Sequence, residues 1–158
     1  SACDITALTE KLDEARLTEL MRAADIVLDC CDNFATRYAV NRVCRAQRTP
    51  LVSGAAVRMQ GLVAVFDFRA DDAPCYHCIF PEDSEAETLH CATSGVFAPL
   101  VGMIGAMQAG EALKLLAGVT HGLCGQLLSV DARDMRFARS ALRRDPDCPV
   151  CGASRSQK

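Results

Sequence analysis

No stretch of this 158-residue sequence stays apolar for the roughly 20 residues that a helix needs to cross a bilayer. The longest, about Gly95 to Met107, is closed by Gln108 and reads as a core helix, so no membrane partner is expected. Basic clusters are lacking too: the 17 lysines and arginines are scattered and the formal net charge is -3, which leaves no electrostatic footprint for nucleic acid. The opening residues, Ser1-Ala2-Cys3-Asp4, show neither a basic start running into an apolar segment nor an arginine-rich amphipathic pattern. With no export or organellar signal in view, a cytoplasmic location is expected. Internal repeats and low-complexity tracts are also lacking; residues 154–158 read as a flexible tail behind a single domain over residues 1–153.

What is present is a composition half apolar, enough to bury a core, and ten cysteines. In a reducing compartment such cysteines point to metal or thiol chemistry rather than to disulfides. Cys75-Tyr76-His77-Cys78 and Cys148-Pro149-Val150-Cys151 are two C-x-x-C knuckles. Four thiolates from two knuckles make a closed tetrahedral zinc site with no position left for catalysis, and their wide separation marks a staple between distant parts of one fold. The alternative, two redox pairs or plain disulfides, is weakened because neither motif reads as opening a helix, where a thiol would be activated. His77 lies inside a knuckle and reads as a neighbour of the ligands rather than one of them. Cys3, Cys30, Cys31, Cys44 and Cys124 read as packing or incidental residues.

Residues Asp4 to Thr9 look like a short strand, and a helix follows from about Asp13 to Ala24 with Leu17, Leu20 and Met21 on one face. Asp25 to Cys30 is an almost wholly apolar run of the kind found in parallel strands covered on both faces. A second helical pattern, about Ala35 to Gln47, sets Tyr38, Val43 and Ala46 among charged positions and ends before Thr49-Pro50. Leu51 to Val57 and Gly61 to Phe68 read as strands around a Met59-Gln60-Gly61 turn. Strand, helix, strand, helix, strand in this order predicts an α/β unit with a Rossmann-like parallel sheet. Residues 70–94 form an acidic connection, read either as a solvated loop or as a lid. Ser94 can cap the next helix, about Phe97 to Ala117, with Pro99 in its first turn and Gly118 at its exit. That helix is apolar most of the way round and is expected to be buried, with Gly102, Gly105, Ala106, Ala109 and Gly110 allowing close approach of another element or a second subunit. Gln126 to Val130 and Met135 to Ala138 read as a closing antiparallel hairpin.

Asp29 and Asp32 flank the carboxyl end of the Asp25 to Cys30 strand, where open α/β sheets place their ligands. A carboxylate there can hold magnesium against nucleotide phosphates. Equally, Asp32 or Asn33 could cap the following helix.

Leu28-Asp29-Cys30-Cys31-Asp32-Asn33 with Thr36-Arg37, then the first knuckle, then Gly95-Val96-Phe97-Ala98-Pro99-Leu100-Val101-Gly102 with Gln108, Glu111 and Ala112, and finally Cys148-Pro149-Val150-Cys151-Gly152 resemble the ThiF/MoeB (HesA/MoeB/ThiF) branch of the ubiquitin-activating-enzyme-like adenylyltransferases. The likeness runs over nearly the whole chain in the right order. It implies adenylation by ATP of the C-terminal glycine of a ubiquitin-like sulfur-carrier protein (ThiS/MoaD-like, ending in Gly-Gly), for thiamin or molybdopterin synthesis. In that reaction the carrier carboxylate attacks the α-phosphate and pyrophosphate leaves. The resemblance makes Asp32, with Asn33, the residue that handles magnesium and the nucleotide, and it implies a homodimer. It matches Cys91, in the crossover segment Leu89 to Gly95, to a thiol that becomes covalently linked during sulfur transfer in one branch and is inert in the other; adjacent His90 could lower its pKa. Cys31 stands where the family usually has threonine. The family's glycine-rich nucleotide loop has no counterpart here, so the chain reads as the C-terminal part of such an enzyme, inactive alone. The competing expectation is a non-enzymatic, zinc-stabilised module that binds a ubiquitin-like tail without activating it.

Overall fold

The computed structural model describes residues 3–82, 94–119 and 122–152. Residues 4–9 form no strand; they are exposed, Ile5 to 88%, because no neighbouring strand pairs with them. The first element is α1 (Glu14–Met21), which begins where the Asp13 carboxylate accepts from the Arg16 amide at 2.8 Å. Leu17 and Met21, one turn apart, face inward against a second helix, α2 (Phe34–Gln47). There Cys44 meets Met21, and the Gln47 amide donates to the Thr18 carbonyl. On α2 the inward face carries Arg37, Tyr38, Val40, Asn41, Val43 and Cys44, whereas Ala46 is exposed.

Helix α2 is the crossover between β1 (Val27–Asp29) and β2 (Leu51–Val57), which pair in parallel. Only Arg58 and Met59 separate β2 from β3 (Gln60–Phe66), Arg58 adopting a left-handed φ of 52°. Two residues are too few for a crossover, so β3 must turn back antiparallel. Strands β4 (Gln126–Asp131) and β5 (Arg136–Ala141) continue antiparallel, giving the order β1-β2-β3-β4-β5. The sheet is therefore mixed, as a parallel unit with an antiparallel extension requires; the extension begins already at β3, and β1 with β2 is the one parallel pair of strands among the described residues.

Side chains alternate across this sheet as a period of two requires. Leu51 and Phe66 face α1, α2 and the Cys75 knuckle, while Val52 and Val65 face the long helix α4 (Ala98–Leu116). A short helix, α3 (Tyr76–Ile79), lies between β3 and α4 in the chain. The result is a sheet with a helical layer on each face. Coverage is incomplete at the β1 edge, where Leu28 stays 40% exposed instead of being covered on both faces.

Helix α4 has Pro99 in its first turn and exits through Gly118 at a φ of 69°, a conformation glycine adopts without strain. Ser94 does not cap it. Its entry is fixed by backbone pairing instead: the Arg58 amide donates to the Gly95 carbonyl at 2.8 Å, and the Phe97 amide to the Arg58 carbonyl at 2.7 Å. The expected all-round burial is also corrected. Leu100, Ile104, Gln108, Glu111 and Ala112 pack inward at helical spacing, while Val101, Leu113 and Leu116 on the other side are exposed, Leu113 to 66%. No helix among the described residues is long and apolar enough to cross a membrane.

Candidate functional site

The two knuckles converge. Cys75 precedes the first turn of α3 and the Cys78 amide donates to the Cys75 carbonyl at 3.1 Å. The second knuckle closes with the Gly152 amide on the Cys148 carbonyl at 2.8 Å. All four sulfurs lie within 4.8 Å of one another, with Cys75 to Cys78 at 3.8 Å, Cys75 to Cys148 at 3.7 Å and Cys78 to Cys151 at 3.2 Å. Each separation exceeds the ~2.05 Å of a disulfide. A tetrahedral ion with bonds of about 2.3 Å requires sulfurs about 3.8 Å apart, so the set fits one small soft cation.

Contrary to the sequence reading, Cys75 does open a helix, the single turn of α3. It is not activated by it: burial pushes the Cys75 thiol up, and burial together with the neighbouring Cys78 sulfur pushes Cys151 up to about 11. His77 Nδ1 sits 3.8 Å from the Cys148 sulfur while its Nε2 accepts from the Glu82 amide at 3.4 Å, beside the four sulfurs as expected. The Asp145 amide donates to the Cys78 sulfur at 3.4 Å, the kind of contact that stabilises a metal-bound thiolate.

A separate cleft of about 780 Å³ opens at the carboxyl end of β1. Asp32 and Asn33 stand at it with Phe34, Tyr76 and Phe80; Val101, Ile104 and Gln108 reach it from α4, and Arg136 from β5. The two readings of the Asp32-Asn33 pair separate here. Asn33 is the cap, its Oδ1 accepting from the Thr36 amide at 2.9 Å. The Asp32 carboxylate is exposed and takes part in no hydrogen bond or ion pair among the described residues. It is left available to a ligand.

Asp29 is not. Its carboxylate, 1% exposed, pairs with Arg37 at 3.0 Å and accepts from the Ser53 hydroxyl at 2.8 Å and from the Cys31 amide at 3.1 Å. Arg37 also donates to the Ser53 hydroxyl at 2.8 Å, to the Gly54 carbonyl at 3.0 Å and to the Cys31 carbonyl, and lies 5.6 Å from the Tyr76 ring centre. The sequence reading gave neither Arg37 nor Gln108 a chemical role. The available signal was phase: each is a polar residue on the inward face of its helix, Arg37 beside Tyr38, Asn41 and Cys44, and Gln108 one turn after Ile104.

The Cys31 thiol donates to Asp29, and burial, reinforced by that carboxylate, pushes it up to about 12. Burial does the same to Cys44, also to about 12. Iodoacetamide at pH 8 is therefore expected to alkylate the exposed Cys3 and Cys30 and to spare Cys31 and Cys44, read by peptide mass spectrometry. Labelling of Cys31 as fast as Cys30 would mean that Asp29 does not keep its proton in place. Cys91 and His90 lie outside the described residues, as does the tail from residue 153.

A family model described as the ThiF family matches residues 1–150. The molybdopterin-synthase adenylyltransferase of Escherichia coli (strain K12) is 45% identical over 148 residues, covering 94% of this chain and 59% of its own length. The sulfur carrier protein ThiS adenylyltransferase of the same organism is 41% identical over 150 residues, covering 95% and 59%. The chain thus spans about six-tenths of the length of these curated relatives. Among solved structures, E. coli MccB superposes with a TM-score of 0.72 over 93% of this chain and 44% of that chain, at 18% identity, a likeness of fold alone.

Proposed function

Because the chain belongs to the ThiF family, we propose that the protein carrying it uses ATP to adenylate the C-terminal glycine of a ubiquitin-like sulfur carrier. The observation that carries the reading is the unpartnered Asp32 carboxylate at the mouth of the cleft, at the carboxyl end of β1. In sheets of this type that end is where phosphates are bound. Its two relatives named as adenylyltransferases, one of them acting on a sulfur carrier by name, support the substrate class.

In the reaction, a carrier carboxylate oxygen bonds to the α-phosphorus, the bond to the bridging oxygen breaks and pyrophosphate leaves. An exposed carboxylate with no protein partner fits one magnesium ion, which accepts few protein oxygens and fills its shell with phosphate and water; when bound, the ion offsets phosphate charge. Asp32 would hold it, while the capped α2 terminus keeps Asp32 at a fixed place relative to β1. The mostly apolar cleft suits the extended Gly-Gly backbone of a carrier tail, which carries no side chains ahead of its terminal carboxylate. Cys75, Cys78, Cys148 and Cys151 would hold a structural zinc. For Cys91 the family resemblance implies a covalent role in one branch and none in the other, and the exposed side of α4, with Gly102, Gly105, Ala106 and Ala109, is the surface we assign to a second copy of the protein.

ATP–pyrophosphate exchange by the full protein, with a ThiS/MoaD-like carrier ending in Gly-Gly, tests this. Exchange is expected to require the carrier and to fall by about 100-fold or more in Asp32→Ala, the scale of losing one aligned electrostatic contact to the reacting centre. Absence of exchange from folded, metal-loaded protein would favour a module that binds such a tail without activating it.

A further inference from the structure

Resting on the reading of Asp32 above, we infer that Gln108 is a positioning residue for the Asp32 turn. Its side chain comes from α4 and is buried between the ends of two strands. Nε2 donates to the Asp29 carbonyl at 2.8 Å and to the Val52 carbonyl at 3.2 Å, and Oε1 accepts from the Cys30 thiol at 3.5 Å. Asp29 and Ser53 are the last paired residues of the β1–β2 ladder. Gln108 therefore bridges the two strands where their own pairing stops, three residues before Asp32.

The amide is packed tightly against β2. A Cβ on Gly54 would lie 2.2 Å from its Oε1, so β2 approaches it as closely as glycine allows. Across the sheet Arg37 holds the Cys31 and Gly54 carbonyls. The turn Cys30-Cys31-Asp32 is thus held from the α4 face by Gln108 and from the α2 face by Arg37, and Asp32 itself contributes no bond of its own. Of the neighbouring inward positions on α4, Ile104 and Ala112 are apolar, and the polar one, Glu111, is engaged elsewhere, accepting from the Leu123 amide at 2.9 Å. The polar head of Gln108 is instead committed to the strand that carries Asp32.

A displacement of about 1 Å at a reacting centre costs on the order of 100-fold in rate. Gln108→Met keeps length and volume and removes both donors. In the full protein it is expected to lower kcat for ATP–pyrophosphate exchange about 10- to 100-fold, with KM for a Gly-Gly-ended carrier within about twofold of wild type. A loss of fold would not show this split. In an Asp32→Asn background the same change is expected to cost less than about twofold, because a residue that acts through Asp32 has nothing left to position. Gly54→Ala, which displaces the amide without deleting it, should reproduce the pattern and serves if Gln108→Met does not fold. Equal losses in the two backgrounds, or wild-type kcat in both variants, would overturn the inference while leaving the role of Asp32 standing. Wild-type exchange by Asp32→Asn itself would overturn both.

Discussion

Cys148→Ser is expected to leave the protein without zinc and to release the C-terminal segment from the fold. The two knuckles are 73 residues apart, so the ion would close a long loop with four bonds. Apparent binding energies of about 10–16 kcal/mol in small zinc domains compare with about 5–15 kcal/mol of total stability for a domain. The core decides how the loss is expressed. Cys75 sits among Phe66, Phe68 and Tyr76, packing that remains without metal, whereas the second knuckle adds only Leu142 and Val150 to that cluster beyond its cysteines. Its ties to the rest of the fold include the Leu142 amide on the Gly125 carbonyl, Arg144 on the Asp71 carbonyl and the Asp145 amide on the Cys78 sulfur. The variant should therefore keep the sheet, melt at a clearly lower temperature and become open to trypsin at Arg143 and Arg144. Metal analysis, a melting curve and limited proteolysis check this. A wild-type protein with no metal, or an unchanged melting temperature in Cys148→Ser, would remove the staple.

The elements that could be read from the residues were those whose signal is local. Both knuckles, the turn at Met59, the inward face of α2 through Tyr38 and Val43, and the course of α4 from Pro99 to Gly118 follow from spacing and turn chemistry. Strand direction is not local. An apolar run such as Leu51 to Val57 pairs either way, and the pattern of alternating strands and helices suggested a parallel sheet. The two-residue link at Arg58 and Met59 sets where the parallel part ends and the antiparallel extension begins, because no crossover fits in it. The supposed cap at Ser94 failed for a related reason: the start of α4 is set by pairing with Arg58, a contact between distant segments.

In the site, the Asp32-Asn33 ambiguity could not be resolved from composition, since either side chain caps a helix. It took the observed bond from the Thr36 amide to Asn33 to leave Asp32 without a partner among the described residues. Helix α4 shows the opposite limit. Its apolar circumference predicted burial, yet the described residues cover only the Leu100-Ile104-Gln108 side. Hydrophobicity records that a surface is meant to be covered and is silent about which chain covers it.

Arg37→Met is expected to be the most destabilising change at the site that alters no cysteine. Arg37 and Asp29 are exposed by only 6% and 1% at their side chains. Removing one partner of such a buried pair costs about 3–5 kcal/mol, because the other charge remains in the interior without compensation. The two hydrogen-bonded carbonyls, of Cys31 and Gly54, would lose their donor as well. Methionine keeps most of the volume against Tyr76, so the loss reads the polar network rather than a cavity. Urea unfolding of Arg37→Met should show this drop at an unchanged slope. Asp29→Asn combined with Arg37→Met should be less destabilised than the sum of the single changes, since the double variant no longer buries an unpaired carboxylate. Simple additivity would mean that the two side chains stabilise the Asp32 turn separately, and that the buried pair is not the unit that holds it.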